Sequence, residues 1–200
     1  MGMNRFVVAV AALLAAVGCV RAPRDNAEMQ QIYNADQADR EGKIGAPLDW
    51  EKISPRDAAR RKRVRELLDA GALTTGKDYE LAAMVFQHGD GTEDILFAHV
   101  LAVTAMGKGD RDARWMAAAS IDRFLQRAGQ PQVFGTQFNY TMDAGGKQVW
   151  TMDPYNRALV SAALRAANCV PDQAHQASVI DALRKGEEPK APADPPCSIR

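Results

Sequence analysis

Three consecutive stretches, each closed by glycine, constrain the fold more than anything else in the chain. They are GKDYELAAMVFQHG (76–89), TEDILFAHVLAVTAMGKG (92–109) and DARWMAAASIDRFLQRAG (112–129). Each carries apolar residues at helical spacing, and a glycine after the last periodic residue is a common helix terminus. The links between them are so short that neighbours must fold back on one another as antiparallel helices. The middle stretch has two apolar stripes: Ile95, Leu96, His99, Ala102, Val103 and Met106 on one, Phe97, Val100, Leu101 and Thr104 on the other. A helix apolar nearly all round is expected to be the most buried of the set. DYELAA (78–83) echoes in DARWMAAA (112–119), 34 residues later. That period is shared by solenoid-like helix pairs, but two units are fewer than a free-standing solenoid needs, and an ordinary bundle explains the pattern better.

The flanks extend this helical domain to residues 28–186. AEMQQIYNADQADREG (27–42) spaces Met29, Ile32, Tyr33 and Asp36 as a helix does. A loop over 43–53 offers Leu48 and Trp50 as apolar anchors, and Ser54-Pro55 reads as an N-cap with proline in the first turn of a helix ending at Gly71. After Gly129 the period changes to two. QVFGTQFNYTM and KQVWTM, joined by DAGG, predict a small β-hairpin near 132–151. Asp153-Pro154 is expected to restart a helix over 154–168, a further helix is expected over 171–186, and residues 187–200 form a Pro-rich, extended tail. The fold class is therefore mainly α: a helical bundle with one small hairpin.

The first residues point to the cell envelope. MGMNRF carries one positive charge, twelve uncharged residues follow as VVAVAALLAAVG, and then comes Cys19. A basic start, a short apolar run and small residues before the cut define a secretory signal. The run is shorter than the roughly 20 residues a membrane-spanning helix needs. The Ala-Val-Gly-Cys ending resembles the bacterial lipoprotein signal, which implies a signal peptide over 1–18, lipidation of Cys19, and a tether over 19–27. The expected location is the envelope, lipid-anchored, at the outer membrane facing the periplasm. Of three cysteines, two then remain in an oxidising compartment. A Cys169–Cys197 disulfide would pin the tail to the last helices and stabilise the fold by roughly 3 kcal/mol; two unrelated thiols are the alternative. The formal net charge is +0, and there is no charged tail, which argues against nucleic acid as a partner.

Three segments carry a resemblance: DQADR (36–40), AAMVFQHGD (82–90) and DRFLQRAGQPQVFGTQF (122–138). Together they resemble an uncharacterised bacterial family, defined only as a domain of unknown function, over roughly residues 28–140. The third is the most specific, with Asp-Arg, an apolar stretch, Gly, a Pro-Gln pair, an aromatic residue and then Gly-Thr-Gln. The chain departs from the pattern at Gly89 and in the Gly-rich loop after His88. The resemblance implies candidate positions and no chemistry.

Those positions are His88, Asp122, Arg123, Gln132, Gly135, Thr136 and Gln137. His88 and His99 both lie on apolar faces, where a histidine is a hydrogen-bonded core residue or a titrating group in a pocket. Their spacing is not that of a metal motif, and no metal or cofactor is expected. Asp122 is either a solvated helix flank or an inward group that orients His88 or a backbone amide. Gly135 is either a backbone bend with polar neighbours capping the preceding helix, or part of a functional wall. No nucleophile elbow, phosphate loop or dinucleotide fingerprint occurs. Two functions stay open. One is a binding or interaction module that takes a peptide, a glycan strand or an envelope protein beside the Gly-Thr-Gln segment. The other is an envelope hydrolase using His88 with Asp122 and Gln137.

Overall fold

The computed structural model describes residues 23–42, 47–192 and 197. The signal peptide, Cys19, the first part of the tether, residues 43–46 of the expected loop, and residues 193–196 and 198–200 of the expected tail lie outside the described residues. Among the described residues the chain is mainly α, a helical bundle with one small antiparallel hairpin. Its helices are α1 (Ala27–Ala38), α2 (Trp50–Asp69), α3 (Gly76–Gln87), α4 (Thr92–Gly107), α5 (Ala113–Arg127), α6 (Ala162–Ala167) and α7 (Gln173–Lys185). Its strands are β1 (Asn139–Met142) and β2 (Gln148–Thr151).

The first five helices share one core. α3 lies at its centre, packed on α1, α2, α4 and α5. It buries Leu81, Ala82, Ala83, Val85 and Phe86. Small alanines let the neighbouring backbones approach, and Met29, Val64, Leu67, Leu101 and Met116 close the core around them. The start of α3 is fixed by a capping box between Thr75 and Asp78. Asp78 is fully buried and also accepts the backbone N–H groups of Thr74 and Asn26. Asn26 in turn caps α1 by accepting the N–H of Met29, so the residue before α1 is fastened to α3 from the outset.

Three sequence expectations change at this level. First, α2 begins at Trp50, behind an Asp49 cap that accepts the N–H of Lys52, and not at Ser54. Pro55 sits inside the helix, where it forgoes a single backbone hydrogen bond. Burial of Ile53 and the Asp49 cap favour starting the helix earlier. Trp50 itself is 57% exposed and is no core anchor. Second, α4 is not the most buried helix. Ile95, Ala98, Leu101, Ala102 and Ala105 face α3 and α5, while Leu96, Val100, Val103 and Met106 are exposed on the opposite side. Third, no helix restarts at Pro154. The chain there is drawn into a bridge with Gln132, whose N–H donates to Pro154 O and whose carbonyl accepts the N–H of Asn156. α6 starts only at the Ser161 cap.

The hairpin pairs Tyr140 with Trp150 and Met142 with Gln148. Trp150 and Met152 pack on Ile180 and Leu183 of α7 in a second, smaller apolar cluster. Cys169, just after α6, is disulfide-bonded to Cys197 with a Cα–Cα distance of 5.1 Å, so the bond encloses the whole of α7.

Candidate functional site

The segment from Gln132 to Phe138 links α5 to the hairpin, and buried side chains hold it from both sides. Asp122, fully buried on α5, accepts four hydrogen bonds. They come from the N–H groups of Val133 (2.7 Å), Phe134 (2.9 Å) and Thr136 (2.9 Å) and from the Thr136 hydroxyl (2.8 Å). On the opposite side, Tyr155, Arg165 and Gln176 all donate to the carbonyl of Phe134, and Gln176 also reaches that of Gly135. Gln132 donates its amide to the carbonyls of Gln137 and Met152 and accepts the N–H of Gln137. Gly135 has φ +73°, and a Cβ there would lie 2.7 Å from the Tyr155 ring. Only glycine fits such a position without strain. Asp122, Gln132 and Gly135 thus build and hold the turn.

The outer side of this turn forms one wall of an open cavity of about 740 Å³. Across it stand Met84, Gln87 and His88 from the end of α3, Trp115 and Arg123 from α5, and Pro47, Leu48 and Trp50 from the start of α2. Thr136, Gln137, Phe138, Asn139, Tyr140 and Trp150 complete the lining. All three tryptophans of the chain, at positions 50, 115 and 150, therefore meet at one cavity. Of the sequence candidates, His88, Arg123, Thr136 and Gln137 line it; Asp122, Gln132 and Gly135 stand behind it.

The charges of the site are unevenly matched. His88 meets Asp36 at 2.8 Å through Nδ1, leaving Nε2 without a partner among the described residues. A carboxylate on Nδ1 fixes the neutral tautomer with its proton there and makes Nε2 an acceptor. Asp36 is fully buried and also receives Arg40, which bridges on to Asp57. Burial pulls the His88 pKa below its usual value, helped by the positive Arg40 and Arg123 and opposed by Asp36. Hence the bonded partner of His88 is Asp36, and no hydrogen bond joins it to Asp122 or Gln137.

Arg123 has no carboxylate partner among the described residues. Its Nε donates to Gln137 Oε1 at 2.8 Å, and one terminal nitrogen donates to the carbonyl of Gln87 at 2.6 Å. Burial brings its pKa down to about 10, with the positive Arg127 and Arg40 adding to the effect. It remains a cation at neutral pH. Beside it, Gln87 is 3% exposed and spends its N–H on the carbonyl of Ala119, which leaves Oε1 with no partner. His99 sits away from the cavity lining and bonds the carbonyl of Ala117 and the Ser120 hydroxyl, tying α4 to α5.

Other lining residues carry no local sequence signal of a shared site: Trp50, Trp115, Tyr140 and Trp150 as a set, and Gln87. The tryptophans lie far apart along the chain, and only the fold unites them. Asp36 carried a usable signal, a carboxylate in register with Met29, Ile32 and Tyr33 on an apolar helix face. The class defined here is a helical bundle with an aromatic-walled cavity roofed by a hairpin. No family model, curated protein or solved structure matches the chain.

Proposed function

We propose that the chain is a lipid-anchored binding module of the bacterial cell envelope, held through Cys19 at the outer membrane and facing the periplasm. Its partner enters the tryptophan-lined cavity. The meeting of all three tryptophans at one open cavity carries this reading. Aromatic walls supply large apolar contact at low conformational cost, while a few fixed polar groups set orientation. Gln137 and Arg123 are fixed in that way by their bonds to each other and to backbone carbonyls. The Thr136 hydroxyl donates its proton to Asp122, so it lacks the hydrogen bond to His88 that an activated nucleophile makes.

A second reading, an envelope hydrolase, is favoured by the Asp36–His88 pair. A carboxylate on Nδ1 and an unpaired Nε2 at a cavity are what a general base for water requires. One experiment separates the two. A photoreactive residue in place of the exposed Trp50 should crosslink an envelope component in cells, and Tyr140→Ala should abolish the adduct. His88→Gln should leave it intact. A crosslink indifferent to Tyr140→Ala counts against the cavity as the binding site. Adducts that accumulate only in His88→Gln indicate turnover, and with it the hydrolase.

A further inference from the structure

We propose that the cavity binds the C-terminal end of an extended peptide, with the terminal carboxylate on Arg123. The chain runs beside β1, and an apolar terminal side chain lies against the tryptophans. This rests on the binding-module reading and names its ligand class.

Three observations converge on that chemistry. The first is the unpaired cation. A guanidinium has five N–H donors, of which Gln137 and the Gln87 carbonyl take two. The remaining three have no partner among the described residues, and Arg123 lines the cavity. A part-buried charge left without a counter-ion is costly, and an incoming anion relieves that cost. A carboxylate suits one planar fork, since two parallel N–H···O bonds can form.

The second is the strand edge. Asn139 and Tyr140 of β1 line the cavity. Among the described residues β1 pairs only with β2, and every residue of β1 is exposed. An unpaired edge offers backbone N–H and C=O groups to an added extended chain. A sugar polymer makes no use of such an edge, so the edge favours peptide over glycan. The third is the pairing of groups near Arg123. Gln87 lends its carbonyl to Arg123 and carries an unpartnered acceptor, Oε1, on a side chain that lines the same cavity. Oε1 is buried and the amide is held by Ala119, so reaching a peptide N–H would require the amide to leave that bond and turn toward the cavity. Carboxylate and amide N–H are adjacent at a peptide C-terminus and at few other places. The apolar walls of Leu48, Met84, Phe138 and Trp115 fit a terminal apolar side chain.

The test titrates the purified protein, following tryptophan fluorescence, with a hexapeptide ending in Leu as free acid and with the same peptide amidated. A uronic-acid oligosaccharide forms a third arm. The free acid is expected to bind about tenfold or more tighter than the amide, the usual weight of a charge-assisted hydrogen bond. Arg123→Gln should erase that difference, with thermal melting used to confirm folding. The amidated peptide keeps the test decisive if that variant does not fold. Equal binding of acid and amide overturns the carboxylate assignment and leaves the binding module standing. Binding of the uronic-acid oligosaccharide alone overturns the peptide assignment. Failure of all three arms overturns both the ligand class and the tryptophan cavity as a binding site.

Discussion

Asp122 is where the chain commits most to a single arrangement. A fully buried carboxylate is tolerable only when its acceptors are filled, and here three backbone N–H groups and one hydroxyl fill them. The sequence motif Asp-Arg followed by Gly-Thr-Gln is read by the structure as two neighbours with opposite duties: Asp122 faces the turn behind the cavity wall, Arg123 faces the cavity. Spacing alone could not divide them, because both are polar residues on the flank of one apolar stripe. Asp122→Ala should cost about 3–5 kcal/mol in chemical denaturation, since it strands buried donors. A loss below 1 kcal/mol would mean that the turn finds other acceptors. His88 makes a pH prediction. Its folded pKa lies below the unfolded value near 6.5, so the unfolded chain takes up the proton first. Its contribution to stability is therefore complete above about pH 6.5 and declines as pH falls toward and through the folded pKa. Denaturation midpoints from pH 7.5 to 5 should fall in the wild type and fall less in His88→Gln; parallel curves would remove the assignment.

At the scale of elements, the three glycine-closed helices were legible because their apolar period, their terminators and their short links all agreed. What the period could not tell was which apolar face meets protein. α4 is apolar on both sides, and its inner side is chosen by the alanines, which let α3 and α5 approach closely. Leu96, Val100 and Val103 are left outside. The helix expected after Pro154 failed for a different reason: Gln132 captures the backbone of residues 154–156 across more than twenty residues of chain, a contact that no local signal carries. The α4 assignment has a direct consequence. Val100→Gln and Val103→Gln, at 50% and 51% exposure, should each change stability by no more than about 0.5 kcal/mol. Leu101→Ala, at 3% exposure between them, should cost about 2–4 kcal/mol. Thermal denaturation of the three variants distinguishes the faces, and equal losses would show that the outer stripe is covered.

Over the whole molecule, two apolar clusters of unequal size meet at the cavity. Met84 and Trp115 belong to the margin of the large bundle core, while Phe138 and Trp150 belong to the hairpin and α7. The site is thus made by docking a small unit on a large one, which explains why its parts are scattered in sequence. The small unit has few apolar side chains, Trp150, Met152, Ile180 and Leu183 at its centre, and a core of that size supplies little stability of its own. The disulfide compensates. Cysteine parity suggested the Cys169–Cys197 bond from sequence; its position around α7 required the fold. With partners 28 residues apart, loop closure contributes about 3 kcal/mol by restricting the unfolded chain. That contribution falls on the segment needing it, so its loss should be local. Cys197→Ser, or reduction of the wild type, should raise hydrogen exchange and protease cleavage in α7 while amides of α3 to α5 stay protected. Trp150 should become more mobile with α7, and ligand affinity should weaken without any change in Arg123 or Trp115. Uniform loss of protection across α3 to α7 would instead mean that the two clusters unfold as one unit, with the disulfide stabilising both.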